Sequence, residues 1–178
     1  EVVLQAFGRL KDKKVLYICN VSEDDLPDGN AHVERVKAMA EAEGAGVQII
    51  CASAESQIAA MEDPEEQAEF LEMIGIEEPG LHQLIRKAYD LLGLQTYFTA
   101  GEKEVRAWTI TQGMKAPQAA AVIHTDFEKH FIRAEVIKYD TYYELKSEAA
   151  VKEAGKMSVE GKEYVVQDGD VIHFRVSA

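Results

Sequence analysis

Two short runs of unbroken apolar residues stand in the first third of the chain, Val15–Cys19 and Val47–Cys51. Both are rich in Val and Ile and lack polar alternation, which predicts strands of a parallel sheet covered on both faces. Between them Val33, Val36 and Ala40 recur at helical spacing across Ala31–Glu43, with Asn30 as N-cap and Gly44 as C-cap. Strand, helix and strand in this order predict a right-handed βαβ unit. The stretch MEDPEEQAEFLEMIGI predicts a helix with Asp63 as N-cap and Pro64 at its first position, and an apolar face of Phe70, Leu71 and Ile74. GLHQLIRKAYDLLGL predicts another, ended by Gly93, with Leu81, Leu84, Ile85, Ala88, Leu91 and Leu92 facing inward.

The texture changes at Gln95. QTYFTAG and EVRAWTI read as two strands joined by a turn at Gly101–Lys103. APQAAAVIHTDFEKHF opens a helix with Pro, IRAEVI reads as an alternating strand, and SEAAVKEAG as a short helix. KEYVV and DVIHFRV predict a closing strand pair around a turn at Gln167–Gly169. Two strands, helix, strand and two strands is the order of a β-grasp, ubiquitin-like fold. Phe98 and Trp108 are expected in its core, because alternate strand positions bury one face. The fold class is therefore α/β followed by α+β, with domains at 1–94 and 95–178.

Composition narrows the class. With 47% apolar residues among 178, the chain can build a real core, which excludes wholesale disorder. Its apolar runs fall far short of the ~18 residues of a membrane span, and no signal segment opens it. It starts at Glu1 rather than Met, as a fragment or a trimmed product would. Cys19 and Cys51 have no metal-ligand spacing and read as buried, reduced thiols of a cytoplasmic protein. The net charge of −13 is uneven: 8 Lys and Arg face 19 Asp and Glu up to Gln95, and 11 face 13 beyond it. Bulk nucleic acid repels such a chain, so any RNA contact belongs to the second half and is selective.

In doubly wound sheets, ligands bind beyond the carboxyl ends of the strands. Both predicted strands end there in polar signatures, NVSE at Asn20–Glu23 and SAE at Ser53–Glu55. A carboxamide carries a donor and an acceptor side by side, so Asn20 can meet the N6 amino group and N7 of adenine together. A shorter Asp in place of Glu23 would suit the N1–H and N2 donors of guanine. Adenine offers an acceptor on that edge, which would repel a carboxylate aimed at it, and the pair leans toward adenine. Backbone N–H groups of a turn at Ala52–Ala54 could face the base. The competing reading makes Asn20 and Glu23 a plain turn and helix start, and Ser53 an N-cap.

NVSE followed by CASAE resembles the fourth and fifth nucleotide motifs of Obg-related P-loop NTPases. More narrowly it resembles the YchF (Obg-like ATPase) family, in which the guanine-reading Asn-Lys-x-Asp is altered to Asn-x-x-Glu. The likeness continues through GLHQLIRKAYDLLGLQTYFTAGEKEVRAWTI, APQAAAVIHTDFEKHFIRAEVI and YVVQDGDVIHFR, from about Lys14 onward. The resemblance implies the C-terminal part of a P-loop NTPase doubly wound sheet, followed by a TGS domain of β-grasp fold. Residues 1–12 would be the tail of an inserted helical arm. It also implies ATP binding and hydrolysis with Mg2+, ribosome association and a cytoplasmic location. By the motif match Asn20 would read adenine, Val21 would bring its backbone to the ring, Glu23 would shape the pocket, and Ser53 and Ala54 would form its back wall.

The chain carries no G-x-x-x-x-G-K-[ST]; AFGRLKDKK has one glycine and does not qualify. Without a phosphate cradle the transferred phosphoryl group cannot be positioned. No catalytic residue is assigned, the chain alone is expected to be inactive, and ATP and Mg2+ are expected to act in the parent protein rather than bind this chain tightly. In the second half, His124, Lys129, His130 and Arg133 form a candidate patch for RNA or a protein partner. No metal site is assigned, because no carboxylate or second His stands at convincing helical spacing on a shared face with His124, His130 or His173. The alternative to the ATPase reading is a non-enzymatic TGS module that docks on a ribosome, RNA or protein.

Overall fold

The computed structural model describes residues 13–101 and 104–177. The proposed arm tail at 1–12 and part of the Gly101–Lys103 turn lie outside them. The chain divides into two units between Leu92 and Gly93.

In the first unit β1 (Leu16–Asn20) and β2 (Gly46–Ile50) pair in parallel, with Asn20 opposite Ile50. Helix α1 (Ala31–Glu43) makes the crossover. Asn30 starts it by accepting from the N–H groups of His32 at 3.0 Å and Val33 at 3.3 Å. Gly44 ends it at φ 67°, a left-handed conformation that costs glycine nothing. Val33 and Ala40 are buried. After β2 come α2 (Ala52–Ala60), α3 (Pro64–Met73) and α4 (Gly80–Leu92). Asp63 caps α3 by accepting from Glu65 N–H at 2.9 Å, with Pro64 in its first turn. The start of α4 is held from α2: Glu55 accepts from Gly80 N–H at 2.7 Å and from Leu81 N–H at 3.3 Å. A Cβ at position 80 would lie 3.0 Å from Glu55 Oε1 and 3.2 Å from Ile50 Cγ2, tight contacts that a larger residue could make only if those side chains shifted.

Two expectations fail here. The strands are not covered on both faces: Ile18 is 50% exposed, and no residue of β1 is fully buried. Nor does α4 turn its six apolar residues inward, since Leu81, Ile85 and Leu92 are 53%, 48% and 66% exposed. The cause is polar contact between α4 and β2. Buried Gln48 donates to Gln83 Oε1 at 3.2 Å, and Lys87 Nζ donates to Val47 O at 2.8 Å. These bonds set the rotation of the helix and leave the Leu81–Ile85–Leu92 stripe facing outward.

The second unit contains a five-stranded sheet in the order β4-β3-β7-β5-β6. Its strands are β3 (Leu94–Ala100), β4 (Val105–Thr111), β5 (Phe131–Lys138), β6 (Ser158–Glu160) and β7 (Asp170–Val176). β3 and β7 run parallel at the centre, with Phe98 opposite Val171, and the other pairs are antiparallel. Helices α5 (Ala116–Ile123) and α6 (Thr125–Lys129) connect β4 to β5, and α7 (Tyr139–Leu145) and α8 (Glu148–Glu153) follow β5. Ala116, Ala119 and Ala120 of α5 meet a core that includes Tyr97, Ile110, Phe131, Val136, Ile172 and Phe174. Short alanine side chains let the helix approach until Tyr97 Oη donates to Ala119 O at 2.9 Å. Burial raises the Tyr97 phenol above its ordinary value. On the other face Ile137, Val151 and Val171 cluster, with Phe98 packed against them; Trp108 packs against the first core.

Wholly buried Asp170 ties the turn before β7 to its surroundings. It accepts from Lys138 Nζ at 2.6 Å, Tyr164 Oη at 2.6 Å and Gln167 N–H at 2.9 Å. Several local expectations are corrected here. KEYVV is not a strand but a turn at Lys162–Glu163 followed by an isolated bridge from Val165 to Lys115, and the strand that pairs with β5 is β6. The predicted helix from Pro117 breaks at His124, which leaves helical geometry to cap α6. IRAEVI does not alternate: Ala134–Ile137 are all buried, because β5 lies inside the sheet with both faces covered.

Candidate functional site

The base-site candidates gather at the carboxyl ends of β1 and β2. Val21 N–H donates to Ile50 O at 2.9 Å, which prolongs the parallel pairing one residue past Asn20. Cys51 occupies the N-cap position of α2 but makes no side-chain cap bond. Asn20, from the neighbouring strand, makes that bond instead: its Oδ1 accepts from Ala52 N–H at 3.0 Å. An N–H can be met by the oxygen of a carboxamide and not by its NH2, so this contact fixes which way the amide points. Nδ2 is then the group presented to the rim.

Glu23 opens a 3-10 turn at Glu23–Asp25 and leans onto α2. Its Oε1 accepts from Ser53 Oγ at 2.8 Å and from Gln57 Nε2 at 2.9 Å. Ser53 and Gln57 stand four apart, hence on one helix face. Asp25 accepts from Ser22 Oγ at 2.8 Å and Asn30 Nδ2 at 2.9 Å, bonds that hold its carboxyl below the usual carboxylate range. The NVSE loop is thus braced against α2 on one side and the start of α1 on the other.

Of the five predicted residues, Asn20, Glu23 and Ser53 meet at one exposed rim, and Val21 joins through its backbone. Ala54 is 1% exposed, so its side chain packs beneath α2 and its backbone alone belongs to the first helical turn. Ala52–Ala54 is helix rather than an open turn, and Ser53 is not the N-cap, because Asn20 caps across the sheet. Gln57 was not foreseen; its signal was the four-residue spacing from Ser53, hidden while the helix start was misplaced. The geometry also narrows what Asn20 reads. One lone pair of Oδ1 is taken by Ala52, leaving Nδ2 as the donor at the rim, and N7 accepts in adenine and guanine alike. A donor so held could meet N7 of either purine and would not by itself tell them apart.

A cavity of about 260 Å3 runs along β2, lined by Lys37, Gln48, Gln83 and Lys87 among others. It includes none of the five residues. Cys19 is half-buried and Cys51 buried, both as free thiols, and Cys51 Sγ lies 3.2 Å from Ser53 Oγ.

In the second unit, His124 accepts from Asp126 N–H at 3.3 Å and lies 3.6 Å from its carboxylate. Lys129 and His130 stand at the opposite end of α6, where His130 Nδ1 is 3.2 Å from Ser177 Oγ. Arg133 donates to Glu135 at 3.3 Å. Strand register brings together a carboxylate and a His that helical spacing does not. His173 stands opposite Glu135, and Glu148 brings a third ligand-type atom, all within 4.8 Å of one another. Both oxygens of Glu135 already accept from guanidiniums, Arg175 at 2.9 Å and Arg133 at 3.3 Å. The Arg175 bond is the main reason the Glu135 carboxyl sits below its usual range. Among the described residues, no helix is long and apolar enough to cross a membrane.

The family model named YchF-GTPase_C, described as "Protein of unknown function (DUF933)", matches residues 94–177. The "Ribosome-binding ATPase YchF" of Haemophilus ducreyi is 57% identical over 172 residues, which is 97% of this chain. The chain belongs to the YchF family. The YchF of Bacillus subtilis, which carries the same name, is 56% identical over 168 residues, covering 93% of this chain and 46% of that protein. The solved structure of the Schizosaccharomyces pombe YchF GTPase superposes with a TM-score of 0.84 at 36% identity, covering 98% of this chain and 46% of that one. The chain spans about half the length of the curated YchF relatives it matches, 47% in the case of Haemophilus ducreyi.

Proposed function

We propose that this chain is the C-terminal portion of a ribosome-associated YchF-type ATPase. In this reading the first unit contributes the purine-reading edge of the nucleotide site, and the second is a TGS domain of β-grasp fold. The observation that carries the reading is the Asn20–Ala52 bond, which aims a fixed amide donor at the rim shared with Glu23 and Ser53. The bacterial relatives are named ATPases and the fission-yeast structure a GTPase, so the base is the point at issue. Adenine is favoured here because Glu23 is engaged by α2 rather than offered to guanine donors. The residues present fit the base end of ATP. The sequence has no phosphate-binding loop and hence no hydroxyl for Mg2+, so phosphoryl chemistry is not assigned to these residues. Support for the β-grasp reading is the sheet order, with β3 and β7 parallel at its centre. A cytoplasmic location follows from the ribosomal partner.

The test is nucleotide titration of the longest product of the gene, followed by calorimetry. Tighter binding of ATP than of GTP is expected, and the reverse order would overturn the assignment of Asn20 and Glu23. For the second unit, the expected outcome is binding of the YchF chain to ribosomal particles without nucleotide. With 11 Lys and Arg against 13 Asp and Glu beyond Gln95, few phosphates can be neutralised. The salt dependence should therefore be shallow.

A further inference from the structure

We infer that Gln57 is a positioning residue for base specificity: together with Ser53 it keeps the Glu23 carboxylate on α2 and so withholds it from guanine. The inference rests on the purine-reading role of Asn20 proposed above. It begins from the limit of that role. With Oδ1 engaged by Ala52, Asn20 offers Nδ2 to N7, an atom common to both purines. Specificity must then come from a second group at the rim, and the anionic candidate joined to it is Glu23.

A mobile carboxylate beside a purine would favour guanine. Its two oxygens match the N1–H and N2 donors of guanine in a charge-assisted pair, whereas adenine presents an acceptor between its amino group and C2–H. A glutamate in this place is compatible with adenine when it is held elsewhere, and α2 holds it. Ser53 and Gln57 donate to the same oxygen, Oε1, at 2.8 and 2.9 Å. They come from one face of a helix whose N-terminus is itself fixed by Asn20. Ser53 supplies a short bond at the rim. Gln57 stands one turn further along α2, and its longer side chain draws the carboxylate along the helix, so its part is played through Glu23. Both side chains are exposed, so replacing Gln57 removes a donor without opening the core.

The experiment is a titration of the 15N-labelled chain with ATP and, separately, GTP, up to about 10 mM, the range in which weak binding is read from amide shifts. The native chain should show shifts at Asn20, Val21 and Ala52 that indicate tighter binding of ATP. Gln57→Leu keeps most of the bulk and loses the donor. It should lower the ATP-to-GTP affinity ratio by at least about fivefold, the lower bound for one discriminating base contact. Gln57→Lys restores a donor to Glu23 and should return the native ratio, a rescue that a merely structural role would not produce. A ratio in Gln57→Leu within about twofold of native, well below one discriminating contact, overturns the inference and leaves the purine reading standing. Failure of Gln57→Lys to restore the ratio overturns it equally. No response of Asn20 to either nucleotide overturns both.

Discussion

Replacing Asn20 separates the two jobs of its side chain. Asn20→Ala removes the acceptor that meets Ala52 N–H at the head of α2. Loss of an N-cap side chain costs about 1 kcal/mol. At a urea slope of about 2 kcal/mol per molar, that lowers the unfolding midpoint by about 0.5 M. Asn20→Asp keeps an acceptor at the same reach. As an anion at a helix N-terminus it gains a few tenths of a kcal/mol from the dipole, and the neighbouring Glu23 carboxylate offsets part of that gain. Its midpoint should stay within about 0.2 M of native. The base contact behaves in the opposite way. The Asp variant has no donor for N7 and sets an acceptor against an acceptor, so it should weaken ATP binding at least as much as Asn20→Ala. The net worth of one hydrogen bond, about 1 kcal/mol, makes that a loss of about fivefold or more. Urea unfolding followed by circular dichroism reads the first effect, and amide shifts on ATP addition read the second. Early unfolding of Asn20→Asp, level with Asn20→Ala, would refute the cap. An undiminished ATP response in either variant would refute the base contact.

Other perturbations follow from the same geometry. Asp170→Ala strands the Tyr164 hydroxyl and Gln167 N–H while exposed Lys138 rehydrates; a loss of about 3 kcal/mol in the second unit is expected by calorimetry, and one under about 1 kcal/mol would contradict the hub. Glu135 has its carboxyl held down by Arg175, so its contribution to stability is present above the ordinary value of 4.5 and is lost as pH falls through the depressed folded value. Arg175→Met should flatten that acid limb in urea midpoints taken from about pH 5 down to about pH 3. Gly29→Ala combines φ +88° with a Cβ only 2.9 Å from the Val33 side chain, whereas Gly44→Ala meets open space; Gly44→Ala should cost about 1 kcal/mol and Gly29→Ala clearly more by urea unfolding. Leu81→Gln, on the outward stripe of α4, should change the urea midpoint of this chain by the equivalent of under about 0.5 kcal/mol.

What could be read in the sequence follows the range of the interactions. The crossover of the first unit was legible because Asn30 and Gly44 act within a turn of the helix they bound, as do Asp63 and Pro64. The NVSE and SAE ends were legible because strand termini and polar residues coincide. The start of α2 was not, since its cap is supplied from 32 residues away by Asn20. The inward face of α4 failed for a similar reason: periodicity gives an apolar stripe but not its partner, and here Gln48 and Lys87 decide the rotation. KEYVV has strand composition, yet its own Tyr164 is pinned by Asp170, and the short β6 takes the edge of β5 instead. The His173–Glu135–Glu148 grouping depends on strand register, which no local pattern discloses.

The bond from Asn20 to Ala52 also works as a check on alignment. In a sheet, sliding one strand by a single residue exchanges every inward and outward side chain. A slip of β1 against β2 would bring Cys19 or Val21 to the head of α2, and neither side chain can receive that amide proton as a carboxamide does. The two strands can therefore finish the helix in one pairing alone, and the same pairing is the one that sets the rim shared by Asn20, Glu23 and Ser53.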